Sequence, residues 1–158
     1  MHIHPAFLRT TGRRPAGAAA VLAALLMLLV ALPLQASSQS PERITGTTYV
    51  DGPAARALFE QGVLFVDVRV AADYEAGRVP GAVNLTVEKD PENSPFNEDS
   101  LLEALDGDRG TAVVLYCNST GCLRTARAAQ RAVEWGFTNI HYYRLGFPNW
   151  RENEYPYE

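Results

Sequence analysis

The sequence predicts an α/β domain built on a mainly parallel sheet. Continuous apolar runs such as 63–66 are typical of strands buried on both faces, as in parallel sheets. These runs alternate with segments of helical spacing, of which 124–135 is the longest. Of the 158 residues, 47% are hydrophobic and 20% charged, which suits one globular domain rather than a disordered or fibrous protein.

The N-terminal segment, residues 1–38, is predicted to be a signal peptide. Residues 2–14 contain three arginines and no acid, and residues 16–34 form an uncharged apolar run, which is the pattern of a secretory signal. Small residues at 36–38 suit cleavage between Ala36 and Ser40. At about 1.5 Å per residue the run is also nearly long enough to stay as an anchor, which would be the only membrane contact. Both outcomes predict an exported domain, in the periplasm of a bacterium.

Charge and cysteine content limit the expected partners. Removal of residues 1–38 takes away three of 14 basic residues and none of 18 acidic ones, which leaves a net charge of −7. We therefore expect no nucleic-acid partner. An oxidising compartment allows the two cysteines to be a disulfide, a redox couple, or a nucleophile and its neighbour. The sequence alone leaves these alternatives open.

Strands and helices are predicted to alternate from residue 47 to the C-terminus. Residues 39–46 are polar and contain Pro41, which predicts a linker before a domain at 47–158. Asp51 is the expected N-cap of the first helix, and Gly136 is the expected C-cap of the longest one. The predicted strands are 47–50, 63–69, 82–85, 111–116 and 139–144, and the predicted helical segments are 53–60, 71–76, 99–105 and 124–135.

Both cysteines lie in the segment 117–122, here called the cysteine loop, between a predicted strand and the longest predicted helix. A thiol at this position lies where backbone N–H groups and the helix dipole converge, and these stabilise its thiolate. Cys117, directly after the strand, is therefore the candidate nucleophile. Cys122 is a disulfide partner of Cys117, a resolving thiol or a passive loop residue, since a curved loop can bring the Cα atoms within the required range of about 4.4–6.8 Å.

Three charged residues near the predicted strands have alternative roles. Asp67 and Arg69 are predicted to form a structural ion pair that holds the following loop, rather than to act in catalysis. Arg124 either binds an anionic ligand or caps the start of the helix, where the helix dipole disfavours a cation. Two cysteines with the single distant His141 form a weak metal pattern, so we expect no metal and no cofactor.

Three short motifs follow one another between residues 67 and 84. They are Asp67-Val68-Arg69, Asp73-Tyr74 and Gly77-Arg78-Val79-Pro80-Gly81-Ala82-Val83-Asn84. Together they resemble the rhodanese-like signature, which is Asp-x-Arg, an acidic-aromatic pair, and Gly-His-Ile-Pro-Gly-Ala-x-Asn. The strand, cysteine loop and helix follow in the family's order, and Gly136-Phe137, Gly146 and Trp150 end the chain as rhodanese domains do.

The resemblance implies a central parallel five-stranded sheet flanked by helices, and the transfer of sulfane sulfur. In that family the loop cysteine attacks a donor such as thiosulfate, holds the sulfur as a persulfide and passes it to a thiol or cyanide. Carried over, Cys117 is the nucleophile. The predicted anion cradle consists of the loop amides of Asn118, Ser119, Thr120, Gly121 and Leu123.

The cysteine loop departs from the family pattern, which keeps other functions open. Rhodanese loops usually run Cys-x-x-Gly-x-Arg, whereas here Gly121 and Arg124 follow Cys117 by four and seven residues. The related phosphatase pattern, Cys-x5-Arg, would need an arginine where this chain has Leu123. The alternatives are a thiol–disulfide redox protein that uses Cys117 and Cys122 with a redox protein partner, or a non-catalytic binding module.

Overall fold

A five-stranded parallel sheet runs through the domain. The structure is a computed structural model that describes residue 2 and residues 39–158; the rest of the predicted signal peptide lies outside the described residues. The sheet order is β1-β5-β4-β2-β3, and every pairing is parallel. The strands are β1 (Thr47–Tyr49), β2 (Leu64–Asp67), β3 (Val83–Asn84), β4 (Val113–Tyr116) and β5 (Ile140–Tyr143). The predicted fold class is confirmed.

Five helices cover the two faces of the sheet. They are α1 (Gly52–Glu60), α2 (Ala71–Glu75), α3 (Glu98–Ala104), α4 (Leu123–Glu134) and α5 (Gly146–Glu152). Asp51 caps α1 as predicted, since its carboxylate accepts a hydrogen bond of 3.0 Å from the amide of Ala54. Within the described range no helix is long and apolar enough to cross a membrane.

The central strand β4 explains why the run before Cys117 is apolar throughout. All four of its residues are buried, because helices pack on both faces of the sheet. Val113 and Leu115 point to one side, where they join the alanines of α4 in one core cluster. Val114 and Tyr116 point to the other side, where they join the second cluster. Because β4 is also the third of the five strands in the sheet order, its end lies in the middle of the domain.

Helix α5 was not among the predicted elements, the last of which was the strand at 139–144. Gly146 and Pro148 favour a turn in the sequence, but in the structure they belong to a helix of seven residues. Proline is tolerated in the first turn of a helix, where its missing N–H has no intrahelical partner. Burial of Phe147 and Trp150 in the core stabilises this short helix.

The segment 39–46, predicted as a linker, contains no helix or strand but packs against the domain. Ser40 and Ile44 are buried. The Arg144 guanidinium donates through Nη2 to the Ser40 carbonyl at 2.7 Å, and the Tyr142 hydroxyl donates to the Pro41 carbonyl at 3.0 Å. These contacts attach the segment to the end of β5.

Candidate functional site

The cysteine loop connects the central strand to the longest helix. Cys117 directly follows β4, and Cys122 is the N-cap residue of α4. The carboxyl ends of parallel strands form the edge at which α/β proteins bind ligands. The fold therefore places the loop where the sequence predicted it, at the position of a candidate active site.

Cys117 and Cys122 are joined by a disulfide. Their Cα atoms are 6.3 Å apart, within the range that a bridge allows. Of the three alternatives for Cys122, the structure shows the disulfide partner. Cys117 is 1% exposed, whereas Cys122 is half-buried. In this state Cys117 is not a free thiol, and it becomes a nucleophile only after reduction.

The start of α5 holds the backbone of Cys117. The Phe147 amide donates a hydrogen bond of 2.8 Å to the Cys117 carbonyl oxygen. Gly146 has φ +70°, and a Cβ atom at this position would lie 2.2 Å from that same oxygen. Only glycine fits this close approach. In the sequence Gly146 was recognised only as one of the C-terminal residues typical of rhodanese domains, and its contact with the cysteine loop was not predicted.

Hydrogen bonds within and around the loop use several of its polar groups. The Cys122 amide donates to the Ser119 carbonyl at 2.9 Å, and the Gly121 amide donates to the Ser119 hydroxyl at 3.3 Å. The Asn118 side chain donates to the Asp73 carboxylate at 2.8 Å. The amide of Gly121, one of the predicted cradle donors, is therefore occupied in the disulfide state.

The segment 39–46 also reaches the loop. The backbone amide and the hydroxyl of Ser40 both donate to the Thr120 carbonyl, at 2.7 and 2.8 Å. Two donors on one oxygen hold the middle of the loop against residues 80 positions earlier in the chain. The first residues of the domain therefore contribute to the order of the site.

The predicted ion pair between Asp67 and Arg69 is present at the end of β2, with a nitrogen–oxygen distance of 2.5 Å. Arg69 also donates to the Gly77 carbonyl at 2.6 Å, which ties down the loop that follows α2. Burial lowers the pKa of Arg69, but the hydrogen bond and charge of Asp67 outweigh it, so the pKa rises. Burial also raises the pKa of the nearby Tyr116 phenol. Arg69 therefore stays charged and the Tyr116 phenol stays neutral, and both support the site structurally.

Two cavities lie near the carboxyl edge of the sheet. The larger, about 520 Å³, is bordered by Arg69, Asn118, Phe147 and Arg151, and neither cysteine lines it. The smaller, about 260 Å³, is here called the basic cavity. Its lining residues are Val87, Lys89, Gly121, Cys122, Leu123, Arg124 and Arg127. The disulfide therefore meets the smaller cavity, through Cys122, and not the larger one.

Arg124 lies at the start of α4, in the wall of the basic cavity. Its Nε atom donates to the Val87 carbonyl at 3.0 Å, which fixes the direction of the guanidinium. Lys89, on the polar loop before α3, lines the same cavity and was not predicted as a site residue. Among the described residues, no three His, Cys, Asp or Glu side chains are grouped so that they could hold a metal ion.

The fold and the loop define an α/β domain with a cysteine at the carboxyl end of its central parallel strand. The chain belongs to the rhodanese-like domain family, whose sequence profile matches residues 53–153. The resemblance of the sequence motifs to this family is thereby confirmed.

One curated protein is similar in sequence to most of the described domain. The tRNA uridine(34) hydroxylase of Prochlorococcus marinus strain MIT 9303 is 28% identical over 108 residues, which cover 68% of this chain and 34% of that protein. The chain thus spans about a third of the length of this curated relative.

Solved structures show the same fold. The BH2092 protein of Bacillus halodurans is similar with a TM-score of 0.58 and 23% identity, covering 70% of this chain and 76% of that one. A thiosulfate sulfurtransferase of Pseudomonas aeruginosa has a TM-score of 0.58 and 18% identity, covering 71% of this chain and 20% of that chain.

Proposed function

We propose that this protein is an exported sulfurtransferase that carries sulfane sulfur as a persulfide on Cys117. The observation that carries the proposal is the position of Cys117, at the carboxyl end of the central strand and before α4, in a rhodanese-like domain. The thiosulfate sulfurtransferase among the structural relatives supports the same class of reaction through its fold. Export rests on the arginines and apolar run of residues 1–38.

The reaction begins from the reduced form. A thiol reductant first converts the disulfide to two thiols, and the Cys117 thiolate then attacks the outer sulfur of a donor such as thiosulfate. A Cys117–sulfur bond forms, the sulfur–sulfur bond of the donor breaks, and sulfite leaves with the electron pair. A thiolate or cyanide acceptor next attacks the outer sulfur of the persulfide and regenerates the Cys117 thiolate. A free cysteine is only a few per cent thiolate near pH 7, and the positive end of α4 beside the loop favours the charged form.

Intact mass spectrometry of the reduced protein tests this proposal. After incubation with thiosulfate, we expect the wild type to gain the mass of one sulfur atom and to lose it when cyanide is added. Cys117→Ala should gain nothing, whereas Cys122→Ala should keep the gain. A persulfide in Cys117→Ala, or none in reduced Cys122→Ala, would overturn the proposal.

A second candidate function is a dithiol–disulfide couple that exchanges with a redox partner. The observation in its favour is the bridge itself, since Cys117 and Cys122 are paired in the structure. A bridge across so short a loop adds little stability, so a redox role explains it better than a folding role. We expect no alkylatable thiols in the protein as isolated and two after reduction. Two alkylatable thiols under oxidising conditions would exclude this function.

A further inference from the structure

We propose that Cys122 is the sulfur attacked when the disulfide is reduced, and that the basic cavity selects small thiols that carry negative charge. This inference rests on the dithiol–disulfide chemistry proposed as the second candidate function. In the family's usual reaction, the cysteine after the central strand attacks the sulfur donor and carries the transferred sulfur. Here the opposite end of the bridge is the accessible one.

The two ends of the bridge differ in exposure. An incoming thiolate must approach one sulfur of the bridge along the line of the sulfur–sulfur bond. Cys117 is 1% exposed, and its side chain lies in the core cluster that contains Leu115 and the alanines of α4. Cys122 is half-buried and lines an open cavity of about 260 Å³. Cys122 is therefore the more exposed end of the bridge.

The wall of the basic cavity is positively charged. Three cations, Lys89, Arg124 and Arg127, line the basic cavity together with Cys122, and no acid does. The neighbours of Lys89 in sequence, Glu88 and Asp90, are not among the lining residues. The domain as a whole is acidic, so this cluster is a local exception that attracts anions. A thiol with a carboxylate or sulfonate group, which attacks as a dianion, matches this wall.

The exchange step is balanced without another reactant. The thiolate sulfur bonds to Cys122 Sγ, the Cys117–Cys122 bond breaks, and its electron pair leaves on Cys117 as a thiolate. The incoming thiol is oxidised to a mixed disulfide, and Cys117 is reduced. A second thiolate then attacks the external sulfur of the mixed disulfide, which frees Cys122 and releases the oxidised small thiol. The leaving thiolate on Cys117 lies before the positive end of α4, which favours its departure.

Mapping of the trapped intermediate tests the site of attack. The oxidised full-length protein is mixed briefly with mercaptoethanesulfonate, and N-ethylmaleimide caps the released thiol. Trypsin gives a peptide of residues 110–124 that holds both cysteines, and fragmentation between them locates each group. We expect the sulfonate on Cys122 and the maleimide on Cys117. The reverse assignment would overturn the proposal.

Reduction rates test the selection by charge. Mercaptoethanesulfonate, mercaptoethanol and cysteamine are compared as reductants of the protein. The rate of each thiol with the protein is divided by the rate of the same thiol with a small neutral disulfide, which corrects for its intrinsic reactivity. We expect the anionic thiol to be fastest and the cationic thiol slowest. Lys89→Gln and Arg127→Gln should each lower the anionic rate about threefold at low salt, the effect of one charge about 6 Å away in water. High salt should reduce the preference.

Arg131→Gln is the matched control, since Arg131 lies one turn further along α4 and does not line the basic cavity. We expect its rates to match those of the wild type. Equal losses in the Arg127 and Arg131 variants, or equal normalised rates for the three thiols, would overturn the proposal. The thiol-exchange experiments and the sulfur-transfer experiment can fail independently. A protein that forms the bridge but no persulfide does not contradict attack at Cys122. A protein that forms no bridge overturns it.

Discussion

Gly146→Ala should destabilise the domain because the new methyl group meets the backbone of Cys117. An ideal Cβ at residue 146 lies 2.2 Å from the Cys117 carbonyl oxygen and 2.8 Å from its carbonyl carbon. Ordinary contact requires a shift of about 1 Å, and that shift breaks the hydrogen bond from the Phe147 amide. An unpaired buried carbonyl costs about 1–3 kcal/mol, and an L side chain at this positive φ costs about 1 kcal/mol more. We expect a total loss of about 3 kcal/mol.

Gly62→Ala is the matched control for this variant. Gly62 has φ +76°, close to the +70° of Gly146, but a Cβ there has no atom within 4 Å. It carries the conformational cost alone, about 1 kcal/mol. Urea unfolding of both oxidised variants measures the difference, which we expect to be about 2 kcal/mol. Equal losses in the two variants would refute the inference that α5 holds Cys117 by close contact.

Three further predictions concern groups around the site. Asp67→Asn leaves the buried Arg69 charge uncompensated and should lower the unfolding free energy by about 3–5 kcal/mol in urea titrations; a loss below about 1 kcal/mol would contradict a buried ion pair. Burial lowers the pKa of His141, so the folded domain binds this proton less readily than the unfolded chain does. The unfolding free energy should therefore fall as the pH drops below about 6.5, and His141→Gln should weaken this pH dependence. The same pH dependence in the wild type and the variant would exclude a contribution from His141. Ser40→Ala removes one of two donors to the Thr120 carbonyl and should cost about 1 kcal/mol, with faster amide exchange in the cysteine loop; unchanged exchange would show that the contact does not order the loop.

The sequence predicted the strands and the first four helical segments to within a few residues. Their signals are local: apolar runs for the buried strands, Asp51 as a cap, and small residues at helical spacing in α4. Helix α5 was not predicted because it is stabilised by the burial of Trp150 and Phe147 in the core rather than by local helix signals. Pro148 and Gly146 are ordinary turn signals when the core that covers them is not known.

The candidate site was predicted in part. Cys117 and Cys122 were recognised from their place between strand and helix, and the ion pair of Asp67 and Arg69 was expected. The bridge was one of three open alternatives, because loop curvature decides whether two cysteines five positions apart can meet. Lys89 was missed, since nothing in its polar surroundings marks it as a neighbour of the loop.

By itself the sequence determined the order of strands and helices, the family motifs and the position of the cysteine loop, because periodicity and turn chemistry act between neighbours in the chain. Only the tertiary structure decided which cysteine solvent can reach and which charges it meets. Those properties depend on contacts between distant segments: Ser40 with Thr120, 80 positions apart, and Arg124 with Val87, 37 positions apart. Burial of Cys117 likewise depends on a core cluster that brings together Val66 and Ala126, which are distant in the chain.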